Sequence, residues 1–199
     1  MRRIFSTLIY LCFIALIIFL SILSTIGIES NRFNNLITKK ISNANNNLNI
    51  KLSSIKYKFD VKEVSLFLET IEPKINYRKV LVPTKNVKVY IDFFSIFQSG
   101  PQIKKINLDL HQINIEQLKK ISVTFKPSNL TSFVNNNLKK GKINSELEIY
   151  LGDKNTFNNF IIKGSVSNLK SKIINDINLE KTNFDFFADK SDVLIKNVY

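Results

Sequence analysis

The hydrophobic pattern of this chain changes period twice, and each change marks a different kind of structure. Residues 4–28 contain no charge and are almost wholly apolar as far as Leu23. A run of about 25 residues makes roughly 38 Å of helix at about 1.5 Å per residue, enough to span a bilayer with some tilt. Ile4, Leu16 and Ile28 mark its start, middle and end. Phe33, Leu36, Ile37, Ile41 and Ala44 then recur at helical spacing, with Ser30 as the expected N-cap. This stripe is expected to cover the sheet that follows.

From Leu48 the period becomes two. Leu48, Ile50 and Leu52 alternate with polar residues, and Ile55, Tyr57 and Phe59 repeat the pattern after a phase shift at Ser53-Ser54, read as a bulge or short turn. Further strands are expected at Val64, Leu66 and Leu68, twice between Lys74 and Val82, and at Val87, Val89 and Ile91. Phe93, Phe94 and Phe97 share one helical face in a single apolar turn stopped by Gly100-Pro101. Alternation resumes at Ile106, Leu108 and Leu110, continues through Ile113 and Ile115, and returns at Val123 and Phe125.

Residues 127–140 read as a second amphipathic helix, with Leu130, Phe133, Val134 and Leu138 on one face and Gly141 as its C′ residue. Ile143, Leu147, Ile149 and Leu151 then alternate up to a Gly152-Asp153 turn. Phe160, Ile162, Gly164 and Val166 follow, then a segment holding Phe184 and Phe186, and last Val193, Ile195 and Asn197. The pattern stops at Tyr199 in mid-alternation, which suggests the N-terminal portion of a longer protein.

About a dozen strands, each with one apolar and one polar face, suit an antiparallel sheet with one wet side. The expected fold is mainly β with a few helices (α+β). Two arrangements satisfy the pattern: a sandwich or half-barrel whose apolar faces meet, and a curved sheet whose apolar face forms an open groove. The chain divides into a basic tip and anchor at 1–29, a helix-capped β unit at 30–126, and a helix with the start of a second β unit at 127–199.

Charge sets the topology. Arg2 and Arg3 precede the span and Glu29 follows it, which places the N-terminus in the cytoplasm and the bulk of the chain outside. A cleaved signal peptide competes with an anchor, but its apolar region is normally about 7–15 residues. The sole cysteine, Cys12, lies inside the span, so no intramolecular disulfide is available. Setting Arg2 and Arg3 aside, the remainder carries 27 basic and 16 acidic residues. An export topology argues against nucleic acid as the partner of this charge. Anionic head groups, or joint inflation of Lys, Asn and Ile by nucleotide composition, account for it instead.

Catalytic chemistry is sparse. His111, the only histidine, sits beside Asp109 on the polar side of a strand. The pairs Asp60 with Glu63 and Asp189 with Asp192 flank turns, where carboxylates usually serve the turn itself. No metal-ligand spacing, phosphate-cradling glycine loop or nucleophile elbow occurs, so neither an enzyme nor a cofactor is expected.

The chain resembles the AsmA-like proteins of bacterial envelopes, which include the YhdP and TamB relatives and are akin to bridge-like lipid transfer proteins. The resemblance rests on the basic tip, the single anchor and the amphipathic helix. It also rests on the strand, apolar turn and glycine from Val87 to Ile103 leading into the strand that ends at Leu110, and on a YhdP-like strand–Gly–strand pattern from Phe160 to Tyr199. It implies a repeating β-groove rooted in the inner membrane that carries phospholipid acyl chains toward the outer membrane. The apolar faces named above, including Phe160, Ile162, Phe184 and Phe186, would line that groove. A dozen strands at about 4.8 Å span under about 60 Å, short for an envelope bridge. The competing function is a membrane-anchored scaffold for envelope assembly, whose partner is a periplasmic or outer-membrane protein.

Overall fold

The computed structural model describes residues 2–32, 34–44, 46–95, 102–152, 156–174 and 177–199. Helix α1 (Arg2–Thr25) ends because Gly27 turns the chain at φ +76°, while the N–H groups of Ile26 and Gly27 both donate to the Ile22 carbonyl at 2.9 and 3.1 Å. This is the glycine-terminated helix end that occupies otherwise unpaired last-turn carbonyls. Gly27 also lies against β3 (Ile55–Asp60): a Cβ there would meet Lys58 Cγ at 2.7 Å and the Tyr57 carbonyl oxygen at 2.9 Å. Ile28 is therefore not the end of the span but the first residue of β1 (Ile28–Ser30), paired antiparallel with Tyr57. Ser30 likewise closes a strand and caps no helix, because backbone leaving α1 satisfies its hydrogen bonds on β3. Helix α2 (Asn34–Ala44) begins four residues later, and the Asn34 side-chain amide donates to the Leu52 and Ser53 carbonyls.

Two antiparallel sheets follow. In the smaller, β2 (Leu48–Lys51), β5 (Lys74–Tyr77) and β6 (Val80–Val82) lie in that order. Arg78 and Lys79, both at positive φ, make the tight hairpin turn between β5 and β6. Ser53-Ser54 is thus the crossing from the small sheet to the large one, not a bulge within a single sheet.

The large sheet runs β1-β3-β4-β7-β8-β10-β11-β12-β13, with β9 also on β10. Its other strands are β4 (Ser65–Ile71), β7 (Thr84–Asp92), β8 (Ile103–Leu110), β9 (Ile113–Asn114), β10 (Leu138–Leu151), β11 (Phe157–Ile174), β12 (Ile177–Asp189) and β13 (Val193–Lys196). It is curved and does not close. The fold is mainly β with a few helices, as the alternation predicts.

Several expectations are corrected. Val64 is not in a strand. It sits in the β3–β4 turn at φ +45°. Ile115 opens helix α3 (Ile115–Ser122), because Asn114 and Gln117 form a reciprocal capping box at its start. Val123 and Phe125 belong to the turn that ends α3 and form no strand. Helix α4 (Asn129–Asn137) is capped by Ser128 and passes directly into β10, so Gly141 lies inside that strand and is not a C′ residue. Phe97 and the Gly100-Pro101 stop lie outside the described residues, as does Asp153 of the Gly152-Asp153 turn.

The core lies on one face of the large sheet and has two covers. The first is α2 with the small sheet. The second is α3 with α4, whose Ile115 and Val134 pack with Leu138, Val166 and Leu169. Val166 and Leu169 are an odd number of residues apart and share this core because Asn168, at φ +53°, shifts the phase of β11. The boundary at 126/127 falls between α3 and α4, which are tied by Asn135 to Ser122 at 3.2 Å. The large sheet passes that point unbroken through the β8–β10 pairing.

Candidate apolar groove

Residues directly opposite in an antiparallel pair share a face of the sheet. Following the register, Tyr57, Leu68, Val89, Ile106, Ile149 and Phe160 form one row across six strands. The next row holds Ile55, Thr70, Val87, Leu108, Leu147, Ile162, Ala188 and Val193. Leu66 and Ile91 lie opposite each other in the row on the other side, toward the β3–β4 turn.

Between this face and its first cover lies a cavity of about 380 Å³. The large sheet contributes Ile55, Leu68, Thr70, Val87, Val89, Ile106, Leu108 and Ile149. The lid contributes Ile37, Ile41, Leu48, Ile50, Leu52, Pro73 and Ile75. The walls present almost no polar surface, and the volume falls within the roughly 300–1,000 Å³ usual for ligand pockets. The groove is therefore two-sided. Leu48, Ile50 and Leu52 were expected along the same sheet as the others, yet they face that sheet from above.

Other expected groove residues lie elsewhere. Val64 is exposed in its turn, and Leu66 and Ile91 stand beyond the cavity toward that turn. Leu110 ends β8 opposite Thr84, outside the cavity wall. Leu151 and Phe160 lie on the β10–β11 hairpin outside the wall, where Phe160 stacks on Phe157 at 6.4 Å. Ile162 continues the apolar face in register, one strand past Ile149's neighbour Leu147. Phe184 and Phe186 pack against the second core, under α3 and α4. The lid residues Pro73 and Ile75 escaped sequence reading: Lys74–Val82 shows two short strands but not which sheet they join.

The opposite face is charged. Glu69 is buried there, accepting a hydrogen bond from the Asn86 side-chain amide at 2.7 Å and pairing with Lys58 at 3.1 Å and Lys88 at 3.7 Å. Burial by itself pushes its carboxyl up. The hydrogen bonds from Asn86 and Lys58 and the charges of Lys58 and Lys88 outweigh that and hold it below the usual carboxylate range. Tyr150 donates to Glu148, which is held low first by that bond and is paired with Lys163 at 3.3 Å. The same bond, with burial, pushes the Tyr150 phenol up to about 12. Burial does the same to Tyr90, which stacks on Phe67 at 5.1 Å with the Lys105 ammonium 4.4 Å from its ring centroid.

A carboxylate whose pKa is depressed by folding contributes stability above its unfolded pKa and loses it as pH falls through the folded value. Glu69→Gln should therefore lower the melting temperature of the detergent-solubilised chain near neutral pH. It should also flatten the loss of stability that the native chain shows below about pH 4.3, the unfolded glutamate value. Parallel melting curves from pH 7 to 3 for both proteins would show the ion cluster to be structurally idle.

The remaining polar candidates serve local structure. Asp60 Oδ1 accepts from the N–H groups of Lys62 and Glu63, and Asp189 Oδ1 from those of Ser191 and Asp192, so both carboxylates close turns. Asp109 pairs with Lys85 at 3.8 Å, and His111 is exposed at the rim of a polar depression of about 540 Å³. Among the described residues no group of His, Cys, Asp and Glu side chains could hold a metal ion. No family model matches the chain, and neither a curated protein nor a solved structure does so.

Proposed function

We propose that this is a membrane-anchored lipid-binding module of AsmA-like type, held in the inner membrane with its β domain in the periplasm, carrying phospholipid acyl chains toward the outer membrane. The observation that supports it best is the almost wholly apolar cavity between the large sheet and its lid. The mechanism is passive. An acyl chain leaving water for that wall gains about 0.8 kcal/mol per buried methylene, while the head group stays at the solvent edge. The opposite face carries the ion clusters of Glu69 and Glu148 instead, so an acyl chain finds its apolar wall on one side of the sheet. The test is native mass spectrometry of the full chain purified in mild detergent. A bound phospholipid is expected, and a chain that carries only detergent under several extraction conditions would count against the reading.

A second reading, a scaffold that binds an envelope protein, is favoured by β13. Among the described residues its outer edge has no partner strand, and Val193, Leu194 and Ile195 are exposed. Such an edge accepts an added strand.

The anchor rests on α1, of which Ile4–Thr25 is long and apolar enough to cross a membrane. Its 22 residues make about 33 Å of helix. Leu16→Arg, near the middle of the span, should cost about 2.5–3.5 kcal/mol of insertion free energy. The expected result is loss of the chain from the membrane fraction and of signal from an extracytoplasmic reporter fused at its C-terminus.

A further inference from the structure

The anchor meets the sheet at one particular end. Strand β1 runs antiparallel to β3, so going back from Ser30 to Ile28 moves along β3 from Ile55 to Tyr57, toward Asp60. Helix α1 joins there, with Gly27 seated on Lys58 and with Leu23 buried. The β3–β4 turn and the residues following β7 lie at this same end, since Asp60 pairs with Ser65 and Ser65 with Asp92.

These tips carry apolar side chains in the open. Val61 is 64% exposed, Val64 42% and Phe94 60%. Val64 also holds φ +45°, a conformation that glycine or asparagine adopts far more readily than a β-branched residue. The turn keeps an apolar side chain at a position where both water and the backbone disfavour it. Phe94 is braced, with Phe93 packed edge-on against it at 5.8 Å and against Phe59 at 5.4 Å. Lys62 and Glu63 stand exposed between the two valines, with Glu63 paired to Lys105. Apolar side chains flanking a charged pair, at the end of the sheet where the anchor joins, match the boundary between acyl chains and head groups.

We infer that this end of the sheet is a membrane-docking foot, in which Val61, Val64 and Phe94 enter the interfacial layer of the bilayer that α1 spans. The inference rests on the reading of α1 as a membrane anchor. It sets strand ends, and not a sheet face, against the bilayer.

The chain contains no tryptophan, so single substitutions report cleanly. Four full-length variants, Val61→Trp, Phe94→Trp, Ile71→Trp and Leu16→Trp, are reconstituted separately into phosphatidylcholine–phosphatidylglycerol vesicles, with and without brominated acyl chains. Ile71 closes the other end of β4, roughly 24 Å from Val64 at about 3.4 Å per residue. The expected result is blue-shifted emission quenched by brominated lipid for Val61→Trp and Phe94→Trp, with Ile71→Trp unquenched. Quenching of Leu16→Trp without that of Val61→Trp and Phe94→Trp overturns the foot and leaves the anchor standing. An unquenched Leu16→Trp overturns the anchor itself. Quenching of Ile71→Trp as strongly as the tips, or a blue shift at the tips without quenching, also overturns the foot. The former means that the sheet lies flat, and the latter that a protein surface covers the tips.

Discussion

Val89→Asp should strip bound phospholipid from the purified chain. Val89 stands in the middle of the cavity wall, flanked in register by Leu68 and Ile106. Among the described residues no lysine or arginine lines the cavity, and the neighbouring Lys58 and Lys88 are engaged with Glu69 on the other side of the sheet. A charge without a partner in an apolar site either draws in water or stays protonated with a raised pKa. Both outcomes place polar groups where an acyl chain would lie. Val89→Thr is the milder companion: it keeps the shape and adds one hydroxyl, whose desolvation costs about 1–3 kcal/mol by protein mutational data, or roughly 5- to 150-fold in lipid affinity. Lys88→Gln, one residue along on the charged face, should leave occupancy near the native level. The measurement is the lipid-to-protein ratio by native mass spectrometry on samples whose melting curves show them folded. Equal loss from Val89→Thr and Lys88→Gln would mean that the two faces of the sheet do not differ in function, and the groove reading would fail.

The strands that make this wall are the part of the molecule most legible in its sequence. Period-two alternation places Leu68, Val89, Ile106 and Ile149 on the apolar faces of their strands, and the pairing register brings them opposite one another. Alternation cannot say which of two sheets a strand joins, so the step of Leu48, Ile50 and Leu52 into the lid went unread. The choice there is made by Asn34, which ties α2 to the Leu52 and Ser53 carbonyls, and by the left-handed pair Arg78-Lys79, which folds β5 onto β6. Short apolar runs are also ambiguous between strand and helix. Ile113, Ile115, Val123 and Phe125 alternate plausibly, yet Asn114 and Gln117 make the capping box that starts α3, a signal present in the residues and outweighed by the alternation around it. Val64 is apolar and in phase with Leu66, so the pattern alone places it in a strand. Only the backbone shows that it belongs to the turn.

Gly164→Val should be the most destabilising single change in the β domain. A Cβ on Gly164 would overlap the Asn144 carbonyl oxygen and lie 3.0 Å from both Ser145 Cα and Phe186 Cζ. The first two are backbone atoms of the adjacent strand, in register with Gly164 itself, so neither can yield by changing rotamer. Phe186, opposite on β12, could swing away, but it packs against the second core and would carry that packing with it. Relief therefore requires β10 and β11 to part at the centre of their pairing. Overpacking usually costs about 1–3 kcal/mol and more where the obstacle is backbone. About 3 kcal/mol would lower the melting temperature by roughly 6–12 °C at about 2–4 °C per kcal/mol for a chain of this size. Gly152→Ala supplies the contrast. Its nearest neighbour would be Thr156 Oγ1 at 3.6 Å, an ordinary contact, so its melting temperature should stay within about 2 °C of the native value, as surface substitutions usually do. If Gly164→Val melts with Gly152→Ala, the two strands do not approach each other as closely as described. The apolar face would then lack its continuous path from the first cover to the second.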